Sequence, residues 1–240
     1  MVMYVRDQTG RFHQRPHYKQ EELDHECESL ITQFLKGLHG DVRYPVGTED
    51  LKTLIERDTE DLDVYADLSS YGAEVEGVTE FNPGRRPSVK IRSQLTEDSR
   101  YENRLRTTLT HEYGHVRFHG YLFETEPPQA ELLSRQPNRN KIICKRDSMI
   151  DAAQTDWMEW QAGYVCGALL MPKTAVLVAC RSYVEQHRIY GKISLQTTHG
   201  AALIAKITAI FKVSNDAARV RLLKLDLVTA GPATRSLFDQ

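Results

Sequence analysis

The segment Thr110-His111-Glu112-Tyr113-Gly114-His115 constrains the fold of this chain more than any other stretch. HEYGH fits the HExxH pattern, which carries chemistry only on a helix, where residues four apart share a face. His111 and His115 can then grip one metal ion while Glu112 stands beside it. The flanking letters agree with a helix. Ser99 and Glu102 have capping-box spacing, and Leu105, Leu109, Tyr113, Val116 and Phe118 follow with helical periodicity until Gly120, which is placed to stop the segment.

A catalytic zinc ion takes three protein ligands and keeps one position for water, so a third ligand must come from elsewhere. The extended HExxHxxGxxH pattern is excluded, because Phe118 stands where it needs Gly and Tyr121 where it needs His. His119 continues the face of His111 and His115 but lies too far along the axis to join both around one ion, and a packed or hydrogen-bonded role is expected for it. Downstream carboxylates remain: Glu124, Glu126, Glu131, Asp151, Asp156 and Glu159. Placement on a rigid helix favours Glu159, with Asp156 second. Glu112 is then the general base, taking a proton from a water acidified by the metal and passing it to the leaving amine. Tyr113, Tyr164 and His199 are candidates for steadying an oxyanion or touching substrate, and nothing in the letters selects among them.

A chain of 240 residues with 40% hydrophobic content can bury a real core. No run of 18 apolar residues is present, and the start MVMYVRDQTGRFHQ lacks the layout of a secretory signal, so a soluble cytoplasmic protein with no membrane partner is expected. The four cysteines, Cys27, Cys144, Cys166 and Cys180, form no CxxC pair, which points to reduced and buried thiols rather than a zinc ribbon or a disulfide framework. A net charge of -2 gives the whole chain no pull towards nucleic acid or acidic membrane.

Along the chain, residues 1–20 read as a polar, extended or poorly ordered arm. Leu23, Cys27, Leu30, Ile31, Phe34, Leu35 and Leu38 make a helical stripe closed by Gly40, and a second helix is expected over 48–60. Ala73 to Phe81 and Ser88 to Arg92 read as a hairpin beside the motif helix, with an edge that could template an extended peptide. After a polar connection over 121–155, helices are expected over 156–170, 174–190, 195–211 and 215–225, with Pro172 ending the first and Ser214 capping the last. Small residues at Gly163 and Gly167 would let another helix come close to the one carrying Glu159.

These letters resemble the ImmA/IrrE family of zinc metallopeptidases. The likeness lies in Gly77-Val78-Thr79-Glu80-Phe81-Asn82-Pro83-Gly84, in Leu109 to His115 with His119, in Glu159-Trp160-Gln161-Ala162 running to Leu169-Leu170-Met171-Pro172, and in Phe211 to Ser214 followed by Ala217 to Leu222. The resemblance implies His111, His115 and Glu159 as ligands of one catalytic zinc ion and Glu112 as base. It also implies cleavage of a DNA-binding transcriptional repressor, relieving repression in a stress or mobile-element response. Gln161 departs from it, at a place that is often acidic in the family. The expected fold is α+β and mainly helical: a polar arm over 1–20, an HExxH metallopeptidase core with a small β-sheet over 21–180, and a C-terminal helical, HTH-like region over 181–240.

The competing reading is a DNA-binding regulator, or an inactive metal-binding interaction protein. It draws on the Ser214 junction between two helices and on a basic C-terminal segment, in which Arg219, Arg221 and Lys224 would meet nucleic acid or a protein partner. A helical bundle with a solvated basic face is the simpler account of those charges, and nucleic acid is the less favoured partner.

Overall fold

The computed structural model describes residues 2–82, 84–124, 140–145, 149, 152–153 and 155–231. The fold is α+β and mainly helical. Glu126, Glu131 and Asp151, read above as candidate ligands, lie outside the described residues.

Two helices open the main body. Helix α1 (Gln20–His39) turns Leu23, Cys27, Ile31, Phe34 and Leu35 inward and ends on Gly40, whose φ of 75° is the left-handed conformation glycine adopts freely. Helix α2 (Thr48–Asp58) buries Leu51, Leu54 and Ile55. A four-stranded sheet follows, built from β3 (Asp61–Ala66), β4 (Val75–Glu80), β5 (Ser88–Arg92) and β6 (Lys141–Lys145) in the order β3-β5-β4-β6. The expected hairpin is present as antiparallel β4 and β5; β3 joins β5 in parallel, and β6 joins β4 antiparallel. Both hairpin strands thus have neighbours on each side, so neither offers the free edge expected for a peptide. Among the described residues the edges are β3 and β6.

The short helix α3 (Ser93–Glu97) leads to the motif helix α4 (Glu102–Glu124). Its start differs from expectation: Ser99–Tyr101 form a separate 3-10 turn with Asp98 accepting from the Arg100 amide, and Glu102 begins the α-helix. Its end differs too. Gly120 does not stop the helix, which continues so that Leu122 and Phe123 pack with Phe81, Ile142 and Trp157. Burying each of those two side chains is worth roughly 1.5–3 kcal/mol, more than the roughly 1 kcal/mol that a glycine costs inside a helix.

Helix α5 (Trp157–Leu170) lies against α4, with Asp156 as its N-cap accepting from the Glu159 amide. A Cβ on Gly114 would lie 3.0 Å from Ala162 Cα, so the two backbones meet through Gly114 and Ala162. Gly167 meets the Arg221 side chain of the last helix, a close approach of the kind expected there. Helices α6 (Lys173–His187), α7 (Thr198–Phe211) and α8 (Asn215–Lys224) complete the bundle, and Ser214 caps α8 by accepting from the Ala217 amide at 3.1 Å. Short parallel strands β7 (Ile193–Ser194) and β8 (Val228–Thr229) flank α7 and α8. One hydrophobic core runs from Leu23 to Val228, and α6 crosses residues 180–181 without a break in it. Arg106 of α4 ties this C-terminal part to the motif helix, because its buried guanidinium donates to the carbonyls of Phe211, Lys212 and Val46. A cation at the last carbonyls of α7 also answers that helix's dipole.

The N-terminal arm is ordered rather than loose. Strands β1 (Met3–Arg6) and β2 (Gln14–His17) pair antiparallel. Asp7 closes the turn between them by accepting from the Thr9 and Phe12 amides, and it also accepts from Trp157 Nε1 at 3.1 Å. Phe12 packs edge-on against Phe123 and Trp157. No single helix among the described residues is long and apolar enough to cross a membrane.

Candidate metal centre

The Gly114–Ala162 contact decides what meets what. It lies between the two histidine positions on α4 and one turn beyond Glu159 on α5, so it presents the Glu159 carboxylate to both rings. His111 Nε2 is 3.2 Å from Glu159 Oε2, His115 Nε2 is 3.2 Å from Glu159 Oε1, and the two Nε2 atoms are 3.1 Å apart. Zinc bonded tetrahedrally to nitrogen and oxygen at about 2.0–2.1 Å needs ligand atoms about 3.3 Å apart. The triangle fits that demand. Both histidines are fully buried, and Glu159 nearly so.

The histidine tautomers follow from the hydrogen bonds. His111 Nδ1 lies 3.1 Å from the Met149 carbonyl, which can only accept, so Nδ1 carries the proton and Nε2 is left bare. For His115 the proof runs through two more residues. Gln161 Nε2 donates to the Pro16 carbonyl at 3.1 Å, which turns Gln161 Oε1 to His119 Nε2 at 2.9 Å. With both rings neutral, His119 Nε2 donates, His119 Nδ1 accepts from His115 Nδ1 at 3.0 Å, and His115 Nε2 is bare. Burial holds the His119 pKa well below the usual histidine value, which keeps that ring in the neutral form the relay needs. His119 is thus a hydrogen-bonded partner of a ligand position, and Gln161 is the acceptor that orients it.

Burial opposes ionisation of Glu159, but His115 and His111 outweigh it and hold the carboxyl far below the usual range. Burial likewise opposes a charge on His111, yet the hydrogen bond and charge of Glu159 raise its pKa, so without a metal ion a proton competes for the Nε2 that is bare in the neutral ring. Glu112 is fully buried beside them, and desolvation raises its pKa. Thr79 Oγ1 of β4 donates to Glu112 Oε2 at 2.5 Å, while Oε1 has no hydrogen-bond partner. Gly77 makes room for this carboxylate, since a Cβ there would collide with Oε1.

Cys144 of β6 was not singled out by sequence. It is fully buried, its Sγ lies 3.9 Å from Glu159 Oε2, and His111, Cys144 and Glu159 form a group that could hold a metal ion. Burial alternates along Lys141 to Lys145, where Ile142 and Cys144 alone are buried, but the letters Ile142-Ile143-Cys144 do not alternate and give no signal for it. All four cysteines are free and buried, in keeping with the reduced thiols expected.

Other candidates fall elsewhere. Asp156 caps α5, and Glu124 is exposed at the end of α4. Tyr113 donates to Asp58 at 2.6 Å, Tyr164 to Asp24 at 2.9 Å, and His199 pairs with Tyr183 at 3.0 Å, so the structure holds none of the three against the His111–Glu159 cluster. Tyr113 sits two positions from His111, which puts it on the far side of α4. Arg221 cannot meet nucleic acid. It is buried, with Nη2 2.7 Å from Asp24 and Nε donating to the Met171 carbonyl. Lys224 is partly buried over the Tyr164 ring, which leaves Arg219, paired with Asp216, as the exposed cation of the three. Comparison with models of known protein families finds no match, and comparison with curated proteins finds none either.

Proposed function

We propose that this chain is a zinc-dependent endopeptidase, with His111, His115 and Glu159 as ligands of one catalytic ion and Glu112 as the general base. The observation that carries the reading is the triangle of bare nitrogens and carboxylate oxygens at 3.1–3.2 Å, with a second buried carboxylate beside it. Zinc there would polarise a scissile carbonyl and acidify a water molecule.

The rest falls to the chain's own groups. Thr79 anchors Glu112 through Oε2, which leaves Oε1 to take a proton from water. As the water oxygen bonds to the carbonyl carbon and the C–N bond breaks, Glu112 returns that proton to the leaving nitrogen. The raised pKa of Glu112 suits an acid–base residue that must both accept and donate. Among the described residues β6 is an edge of the sheet, on which an extended substrate could add as a further strand.

Membership of the ImmA/IrrE family, and a DNA-binding transcriptional repressor as the cytoplasmic substrate, are supported by the sequence resemblance. The test compares wild type with Glu112→Gln for bound zinc and for cleavage of a repressor encoded beside it. Similar zinc content with cleavage by wild type alone is expected. Equal cleavage by both proteins, or cleavage by neither under any condition, overturns the reading.

A further inference from the structure

Strand register determines which way Cys144 points. Cys144 is paired with Gly77 across the β4–β6 ladder, and directly opposed residues present their side chains on the same face of a sheet. That face of Gly77 is occupied by the Glu112 carboxylate. The thiol is therefore delivered to the space between Glu112 and Glu159, with Sγ 3.9 Å from Glu159 Oε2 and within 4.8 Å of the His111 ligand atoms. Zinc–sulfur bonds are about 2.3 Å long, so sulfur stands farther from its fellow ligands than nitrogen or oxygen does. A second sign comes from Glu112: its Oε1 is fully buried without a hydrogen-bond partner, against the Gly77 position that pairs with Cys144.

We propose that Cys144 is the fourth ligand of the metal in a resting state, occupying the position that the attacking water needs. This rests on the zinc-peptidase reading. Four protein ligands close a zinc site, whereas a catalytic site keeps one position open. The Cys144 thiolate and the Glu159 carboxylate together balance the two positive charges of the ion, which makes the closed state electrically neutral. Opening would be a ligand exchange: water would take the place of the sulfur, the proton that water gives up would go to the departing thiolate, and no oxidant is required. Among the described residues β6 pairs with β4 on one side only, so withdrawing Cys144 would disturb that one ladder. Lys141 steadies it through Glu80 and Tyr71.

Cobalt(II) in place of zinc tests both levels. Wild type should bind cobalt and show a sulfur-to-cobalt charge-transfer absorption. Cys144→Ala and Cys144→Ser should keep the cobalt and lose that absorption, while Cys166→Ala should retain it. Acetohydroxamate, titrated against the visible cobalt spectrum, should bind Cys144→Ala tighter than wild type by about tenfold or more, because the open state no longer competes with a closed one. Cobalt binding without the charge-transfer absorption in wild type, or equal acetohydroxamate affinity, overturns the proposal and leaves the zinc reading standing. Failure of wild type to bind cobalt, or binding that His111→Ala does not weaken, overturns the zinc reading and the proposal with it.

Discussion

The molecule buries two polar clusters, one on each flank of α5, and they differ in how their charges are answered. Beside Tyr164, the Arg221 guanidinium meets Asp24, Tyr164 donates to the same carboxylate, and the cluster is one cation against one anion. Beside Glu159, two carboxylates and a thiol face two histidines, and the histidine nitrogens and Glu159 oxygens converge at 3.1–3.2 Å. A buried charge with its partner in place is architecture. Buried anions that converge with histidine nitrogens carry a charge that a divalent ion, once bound, would answer.

The largest expected effect tests this contrast directly. Arg221→Met leaves Asp24 buried and uncompensated, and should cost about 3–5 kcal/mol of stability in urea denaturation, without changing metal content per folded molecule. Glu112→Gln in metal-stripped protein should leave the midpoint unchanged or raise it, since it removes a buried carboxylate that burial already disfavours. Comparable losses from both substitutions would erase the distinction. Next comes the joint between the flanks. Gly114→Ala inserts a methyl at 3.0 Å from Ala162 Cα and should cost about 1–3 kcal/mol. The thermal midpoint should fall more in zinc-loaded than in stripped protein, because the joint sets the reach of Glu159. An equal fall in both would show that it does not.

A smaller effect is expected where the relay orients His115. Gln161→Leu leaves His119 Nε2 without its acceptor, and zinc affinity measured by chelator competition should fall about 10–100-fold. Gln161→Glu keeps an acceptor at that place and should recover part of the loss. Wild-type affinity in Gln161→Leu would make the relay mere packing.

What could be read in advance follows the range of the forces involved. His111, Glu112 and His115 share a face through local helical geometry, and Glu159 stands out as the carboxylate held within a helix next to small residues, so these were accessible from spacing alone. Cys144 was not, because β6 is a strand only by virtue of pairing with β4, and no period within five residues announces that. Strand β3 was hidden differently: Leu62, Val64 and Ala66 do alternate, but the acidic residues among them resemble a solvated segment. Arg221 misled for the same reason as β6. On its own helix it belongs to a basic run, and only Asp24, brought by α1 from the other end of the chain, turns it inward. The polar arm concealed Asp7, whose partners include a tryptophan on α5.

That arm supplies the mildest test, since it touches the metal flank of α5 without holding a ligand. Burial would raise the Asp7 pKa, but the amides of Phe12 and Thr9, the Thr9 hydroxyl and the Trp157 indole outweigh it and lower the value. A depressed folded pKa contributes stability that is present above the unfolded value and lost as pH falls through the folded one. The β1–β2 hairpin should therefore hold down to about pH 4 and loosen below it, with hydrogen exchange at the Phe12 amide as the measure. Asp7→Asn should remove this acid sensitivity and weaken the arm at neutral pH by on the order of 1 kcal/mol. Because Pro16 on β2 fixes Gln161, the loosened arm should also blunt the His115 relay, giving a small loss of zinc affinity that is absent when Asp7→Asn is made in a Gln161→Leu background. Additive losses in the double variant would place the arm outside the metal flank.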